Sequence, residues 1–367
     1  MRIGIDMRAD RSGIGRYTMR LVEELVGLDD GTEYVLFARR DTYRRLGALP
    51  GVDRRLADLD WYSVGEQVLL PRLLRAARLD LVHFPSFNVP LGFRGRYVVT
   101  IHDLTHMVRA RLRGSADPAR RWWRALPYRV VLGRAAARAA CVIAVSAATT
   151  EAIVSTLGID PGRVEVVYEG ADASFLGHPD PSALRRFGVG GEYFLAVGNA
   201  HPHKNLHRLV EAFGRVRSAG IQHELVLSGD HGRFGAPLRR LVDALGLRDA
   251  VRFTGPVNDD ELSALYRGAT ALVFVSLSEG FGLPGLEAMA LGVPVLASRI
   301  PALSEIYGDA ALFVDPLDLD EIASGLVAIA GDGNLRARLR ASGLARSALF
   351  SWREMALATR RIYERCS

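Results

Sequence analysis

Lysine is nearly missing from this chain. Of 47 basic side chains, Lys204 is the single lysine and every other one is an arginine. Where guanidinium groups serve everywhere else, one retained ammonium marks a place that needs a compact, flexible point charge rather than a planar fork. Cysteine is scarce as well. Cys141 and Cys366 are the only two, too few for a disulfide framework or a cysteine-rich metal site, and a reducing cytoplasm is the expected setting. No apolar run approaches the roughly 18 residues that a membrane-spanning helix needs. Residues 1–6 read as a strand rather than as a secretion signal. These absences argue against a stapled secreted domain, a zinc module and an integral membrane protein.

What remains is the composition of a soluble globular enzyme, 49% apolar and 24% charged. At 367 residues the chain exceeds one ordinary core, so two domains of roughly 150–200 residues are expected. Short apolar strands at 2–6, 34–38, 79–83, 97–101 and 141–145 alternate with helical stretches such as 17–26 and 147–157. The rhythm returns at 193–197, 224–228, 251–254, 271–275 and 293–297. Such alternation predicts an α/β protein with parallel sheets covered on both faces. Between the halves, residues 171–191 carry Gly177, Pro179, Pro181, Gly188, Gly190 and Gly191, a turn-rich linker. A last helix at about 351–365 presents Met355, Ile362 and Tyr363 to some partner.

Lys204 lies in Gly198-Asn199-Ala200-His201-Pro202-His203-Lys204-Asn205, directly after a strand, where open α/β sheets bind ligands. A compact cation beside a Gly-Asn turn suits a phosphate oxygen. Downstream, Ser276-Leu277-Ser278-Glu279-Gly280-Phe281-Gly282-Leu283-Pro284-Gly285-Leu286-Glu287 stands between two apolar strands, with Pro284 placed for a first helical turn. Gly280 and Gly282 would let the backbone approach a ligand. The N–H groups of Phe281, Gly282 and Leu283, at a helix N-terminus, then favour anions and hydroxyl oxygens. Glu279 falls in the loop and Glu287 one turn into the helix, so the two carboxylates can hold different parts of one extended ligand.

Near the start, Gly13-Ile14-Gly15 follows a strand and opens a helix as a dinucleotide fingerprint does. Thr18 stands where that fingerprint has its third glycine, and the next strand ends in Arg39-Arg40 rather than in a ribose-holding acid, so a nicotinamide dehydrogenase is not expected. His102 follows the strand at 97–101, whereas His83, His106, His201 and His203 read as structural. Asp58-Leu59-Asp60 and Asp318-Leu319-Asp320 mimic a metal-binding acidic triplet. Neither is expected to follow a strand at a plausible metal site, and both read as solvated turns.

The stretch from Tyr266-Arg267-Gly268-Ala269-Thr270 through Glu287-Ala288-Met289-Ala290, with Gly292-Val293-Pro294-Val295 and Asp309-Ala310-Ala311, resembles the retaining glycosyltransferases of family four. Their signature is two glutamates separated by seven residues, and Glu279 and Glu287 match it. Gly13-Ile14-Gly15-Arg16-Tyr17, Thr100-Ile101-His102-Asp103-Leu104, Pro202-His203-Lys204-Asn205 and Phe350-Ser351-Trp352 carry the likeness along nearly the whole chain, in the family's order.

The resemblance implies the GT-B fold, two doubly wound Rossmann-like domains facing across a cleft. Residues 1–175 would bind the acceptor, 190–348 the nucleotide sugar, and a helix at 350–367 would cross back to the first domain. It implies a catalytic set of His102, Lys204 and Glu279, with Gly13, Gly15, Asn199, Val257, Gly280, Phe281, Gly282, Leu283 and Glu287 binding substrate. His102 would touch the sugar, Glu287 the ribose hydroxyls, and Phe253-Thr254-Gly255-Pro256-Val257 the base. No metal and no cofactor are implied. Many relatives carry an arginine near the lysine; here His203 precedes it, and Arg233 is the candidate replacement. The donor expected is GDP-mannose, by likeness of Glu66-Gln67 and the lysine motif to polysaccharide-assembly members, with UDP-sugars next. The acceptor expected is a glycan, glycolipid or small molecule.

A net charge of +6 favours anionic partners. Residues 109–113 and 120–124 mix arginines with Trp122 and Trp123, which suits peripheral contact with the inner face of a membrane. No nucleic-acid-binding module is present. Two other classes stay open on the residues alone: a phosphorylase carrying pyridoxal phosphate on Lys204, and a sugar-nucleotide binder without activity.

Overall fold

The computed structural model describes residues 1–9, 13–46, 51–105, 118–171, 178–180 and 182–367, with the stretch 118–127 described by its backbone alone. His106, the 109–113 stretch, the side chains of 120–124 and linker residues 172–177 and 181 lie outside the described residues. The chain divides into two compact units, Met1–Gly170 with Ser351–Ser367, and Ala171–Phe350.

The first unit holds seven strands: β1 Arg2–Met7, β2 Glu33–Ala38, β3 Val52–Leu56, β4 Leu81–Phe84, β5 Tyr97–Ile101, β6 Cys141–Ala144 and β7 Val164–Val166. They form one parallel sheet in the order β3-β2-β1-β4-β5-β6-β7. The second unit holds six: β8 Tyr193–Val197, β9 Glu224–Ser228, β10 Val251–Gly255, β11 Ala271–Phe274, β12 Val295–Ser298 and β13 Leu312–Val314. Their parallel order is β10-β9-β8-β11-β12-β13. Central strands such as β5 and β11 are buried throughout, as parallel strands covered on both faces must be. In each sheet the order reverses beside the first strand, between β1 and β4 and between β8 and β11. Doubly wound sheets bind ligands outside the carboxyl ends of the strands at such reversals.

The sequence pattern misses β3, β7 and β13. β3 reads VDRRL, too polar for an apolar strand signal, and the other two are three residues long. β12 begins at Val295, two residues later than expected, because Pro294 has no N–H for the ladder and contributes its carbonyl to Leu272 N instead.

The Trp352–Cys366 helix packs on the Gly13–Val26 helix within the first unit. Its Tyr363 Oη lies 2.6 Å from His83 Nδ1, and His83 Nε2 lies 2.8 Å from Thr100 Oγ1. Complete burial pushes the His83 imidazole down to about 3, so the ring is neutral and packs as a core residue. Gly170 is needed where the chain meets this helix, since a Cβ there would sit 2.2 Å from Trp352 N. Among the described residues, no helix is long and apolar enough to cross a membrane.

Candidate functional site

Three neighbouring strands of the second sheet leave on left-handed glycines: Gly198 after β8 (φ 134°), Gly229 after β9 (φ 132°) and Gly255 closing β10 (φ 72°). A side chain at Gly229 would place its Cβ 2.3 Å from the Gly198 carbonyl oxygen, so two turns lie backbone against backbone. Lys204 ends the short Pro202–Lys204 turn that follows β8. Asn205 comes next, fully buried and left-handed (φ 60°). Its amide donates to the carbonyls of Val275 (3.1 Å) and Pro316 (2.7 Å), which fastens the lysine turn to the exit of β11. Leu277 N donates to the His203 carbonyl at 2.7 Å, a second fastening between the same two loops.

The loops thereby bring Lys204 and Glu279 together. Lys204 Nζ lies 2.7 Å from Glu279 Oε1 and 5.0 Å from the centroid of the Phe274 ring. Both side chains are mostly buried, with 16% and 14% of their surface exposed. Sequence reasoning gives these groups to separate parts of a ligand; in the structure each is the other's direct partner.

Glu287 is buried in the Leu283–Ala290 helix, and Tyr266 Oη donates to its Oε2 at 2.9 Å. Tyr266 was not expected in this role. It belongs to a motif quoted for the family likeness, but nothing in its spacing tells a core tyrosine from one that orients a carboxylate. Tyr307 is the other addition. Its hydroxyl donates to Gly282 O at 2.6 Å and underlies the helix start, where a Cβ on Gly282 would meet Leu303 Cδ2 and Tyr307 Oη at 2.5 Å, and one on Gly285 would meet Tyr307 Oη at 2.2 Å. The glycine at 282 is thus demanded by Tyr307, Leu303 and its own φ of 102°, before any ligand is considered. Gly282→Ala is expected to destabilise the protein by roughly 2–5 kcal/mol, the sum of left-handed strain and overpacking. Urea unfolding reads this directly, and an unchanged midpoint would refute the packing argument.

The remaining expected residues of this unit lie along the same carboxyl edge. Asn199 is exposed and its Oδ1 accepts from His201 N at 3.2 Å. Gly280 and Phe281 are buried, the Phe281 ring standing edge-on to Phe350 at 5.7 Å, while Leu283 and Val257 are half-buried. Arg233 lies over the Phe234 ring, 4.9 Å from its centroid, and Phe234 packs on His201. Three buried polar atoms at this edge, Ser228 Oγ, Ser276 Oγ and His231 Nε2, have no partner among the described residues. Burial, with Arg239 nearby, holds the His231 imidazole below its ordinary value. An edge with a paired lysine, a buried carboxylate and hydroxyls without a partner among the described residues offers hydrogen-bonding groups to a polar ligand.

In the first unit, Gly13 and Gly15 form the opening turn of the Gly13–Val26 helix itself rather than a loop before it. His102 follows β5 with an oxygen on each ring nitrogen: Glu169 Oε1 lies 2.8 Å from Nδ1 and Pro85 O 3.0 Å from Nε2. Tyr17 stands edge-on to the ring at 4.7 Å. The ring is fixed from both ends, where sequence reasoning expects a nitrogen open to a sugar. Glu169 was missed because it follows the short strand β7; its one signal is a charged residue directly behind an apolar run.

The acidic triplets need correction. Both follow strands, β3 and β13, and Asp318-Leu319-Asp320 opens a helix at Leu319–Gly331 rather than forming a turn. Asp58 and Asp60 pair with Arg39 and Arg40, the Asp318 carboxylate caps a helix by accepting from Asp320 N and Glu321 N, and Asp320 pairs with Arg215. Among the described residues no cluster of His, Cys, Asp and Glu could hold a metal ion.

Two family profiles match the chain, one described as Glycosyltransferase Family 4 over residues 11–175 and one as Glycosyl transferases group 1 over residues 185–346. O-antigen chain mannosyltransferase B of Escherichia coli is 37% identical over 174 residues, which are 47% of this chain and 45% of that protein. O-antigen chain mannosyltransferase RfbU of Salmonella typhimurium strain LT2 is 30% identical over 265 residues, 72% of this chain and 69% of that one. The match thus spans less than half of the first relative's length and about two thirds of the second's. Among solved structures, sucrose-phosphate synthase from Thermosynechococcus elongatus superposes with a TM-score of 0.78 at 23% identity, covering 100% of this chain and 98% of that one. Anabaena Alr3699/HepE in complex with UDP and glucose gives 0.77 at 20% identity, with 99% of each chain covered. At these identities the structural likeness is one of fold.

Proposed function

The chain belongs to glycosyltransferase family four and has its GT-B fold, and from that premise we propose that it moves a hexose, mannose before others, from a nucleotide sugar to an acceptor with retention of anomeric configuration. The observation that carries this reading is the Lys204–Glu279 pair at the sheet reversal, 2.7 Å apart and set beside the Leu283–Ala290 helix start. Departure of a nucleoside diphosphate breaks the bond between the anomeric carbon and a phosphate oxygen. Negative charge then grows on that oxygen, and in this reading Lys204 meets it together with the N–H groups at the start of the Leu283–Ala290 helix.

In this reading the ion pair opens as donor enters. Lys204 turns to the diphosphate, and Glu279 accepts hydrogen bonds from sugar hydroxyls in its place. Glu287, oriented by Tyr266, accepts from the ribose hydroxyls, and the backbone around Gly255 and Val257 holds the base. The acceptor attacks on the face from which phosphate departs, and its proton passes to that phosphate. His102, fixed by Glu169, would offer one ring nitrogen to a sugar hydroxyl in exchange for Pro85 O. The charge on Lys204 takes the part that a divalent ion plays elsewhere, so transfer is proposed to be metal-independent.

Two relatives named as O-antigen chain mannosyltransferases support mannose as the sugar moved, with GDP-mannose the donor proposed, while the UDP and glucose bound by the Anabaena protein keep UDP-sugars second. Incubation with a panel of nucleotide sugars, with and without EDTA, tests the proposal through donor consumption. GDP-mannose is expected to be consumed fastest and equally in EDTA. Consumption of a UDP-sugar alone would overturn the mannosyl assignment, and loss of all activity in EDTA would overturn the role given to Lys204.

A further inference from the structure

We infer that the carboxyl edge of the first sheet receives a neutral saccharide, one pyranose face lying against Tyr62, rather than a phosphorylated small-molecule acceptor. The inference rests on the transfer reading above and narrows its acceptor. The chain leaving β3 runs into Trp61 and Tyr62, whose rings stand edge-to-face at 6.3 Å. Tyr62 is left-handed (φ 61°), unusual for a bulky residue, yet its side chain is 63% exposed. A strained backbone that displays an aromatic ring to solvent persists only if its surroundings hold it, and such places cluster at binding sites.

The hold is explicit. Tyr62 N donates to Glu66 Oε2 at 2.7 Å, and Glu66 is fully buried. Its Oε1 lies 2.7 Å from Arg8 Nη1 and accepts from Asn88 Nδ2 at 2.7 Å. Arg8 in turn donates to both oxygens of Asp6, at 2.8 and 2.7 Å. A buried arginine between two carboxylates serves here as a rigid base for an exposed loop.

Further polar groups lie along the same carboxyl edge. Ser86, just past β4 at the sheet reversal, is 7% exposed and its hydroxyl has no partner among the described residues. Next to it, Phe87 stands edge-on to Tyr128 at 4.8 Å. Burial above all, then the Asp103 carboxylate and Tyr62, raise the Tyr128 phenol well above its ordinary value. Aromatic faces beside a carboxylate and an unsatisfied hydroxyl match a pyranose, whose ring faces present C–H groups and whose rim presents hydroxyls.

Charge separates the two acceptor classes. Among the described residues at this edge, Asp58 and Asp60 are matched by Arg39 and Arg40, while Asp6, Glu66, Asp103 and Glu169 stand against Arg8 and Arg16, and the Arg8 guanidinium is wholly enclosed by its two carboxylates. Among these described groups carboxylates are in surplus, which disfavours a phosphate monoester and does not disfavour a neutral sugar.

The test uses the full chain with saturating donor and two acceptors, α-linked mannotriose and inositol 1-phosphate, together with ligand-observed NMR of mannotriose binding without donor. Mannotriose should bind and be extended, with inositol 1-phosphate inert. Tyr62→Ala should raise the KM for mannotriose about tenfold at little cost in kcat, the size expected for one aromatic contact, and Tyr62→Phe should restore it. Transfer to inositol 1-phosphate in preference to mannotriose, absence of mannotriose binding by NMR, or an unchanged KM in Tyr62→Ala would each overturn the inference. Mannotriose that binds in a Tyr62-dependent way while no donor is ever consumed would instead fault the transfer reading and leave the saccharide site standing.

Discussion

Replacing Lys204 with arginine will lower turnover about a hundredfold, the cost of a lost electrostatic contact at the point where charge develops. The substitution is conservative everywhere else in a chain whose other basic side chains, apart from histidine, are all arginine. Here the ammonium sits 2.7 Å from Glu279 Oε1 and 5.0 Å from the Phe274 ring centroid, in a space shaped for a point charge on a thin stem. A guanidinium would form a two-pronged pair with Glu279 and hold it, keeping both groups from the donor. The measurement is kcat at saturating donor, with the midpoint of urea unfolding as a control for folding. Wild-type turnover in Lys204→Arg would reduce the lone lysine to an accident of arginine-rich coding.

The two glutamates should fail in different ways. Glu287→Gln, which keeps the contact with Tyr266 but loses the charge that accepts from ribose hydroxyls, should weaken nucleoside diphosphate binding about 10- to 100-fold, the range for hydrogen bonds to a charged group. Glu287→Ala should do so at least as strongly, with added instability from the stranded Tyr266 hydroxyl. Glu279→Ala should leave that affinity intact or improve it, because Lys204 loses its competitor for the diphosphate, while sugar transfer falls about a hundredfold. Calorimetry on the free nucleotide and kinetics on the sugar donor separate the two. Equal loss of nucleotide affinity in both variants would contradict the division of roles.

The parallel strands were legible because burial on both faces leaves a near-continuous apolar run, as in Tyr193–Val197 and Ala271–Phe274. The edge strand Val52–Leu56, with two arginines and an aspartate, carries no such signature. Lys204, Glu279 and Glu287 stood out through composition and spacing, yet their partners did not. The contact of Lys204 with Glu279 spans 75 positions and depends on buried Asn205 bonding two carbonyls, a tertiary arrangement that no local pattern encodes. Glu169 and Tyr266 were invisible for the same reason. The glycine at 282 stands out in the sequence but for an incomplete cause, and the one at 285 does not stand out at all, since Tyr307, more than 20 positions away, sets the space both lack.

A nucleoside diphosphate site at the reversal between β8 and β11, built from Lys204 and Glu287, is the central claim. Isothermal titration of GDP and of UDP into the full chain in EDTA tests it most directly. Saturable one-to-one binding of at least one nucleotide, GDP the tighter, weakened by Glu287→Gln and not by Glu279→Ala, is the result expected. No heat of binding from either nucleotide in a folded protein would contradict the claim.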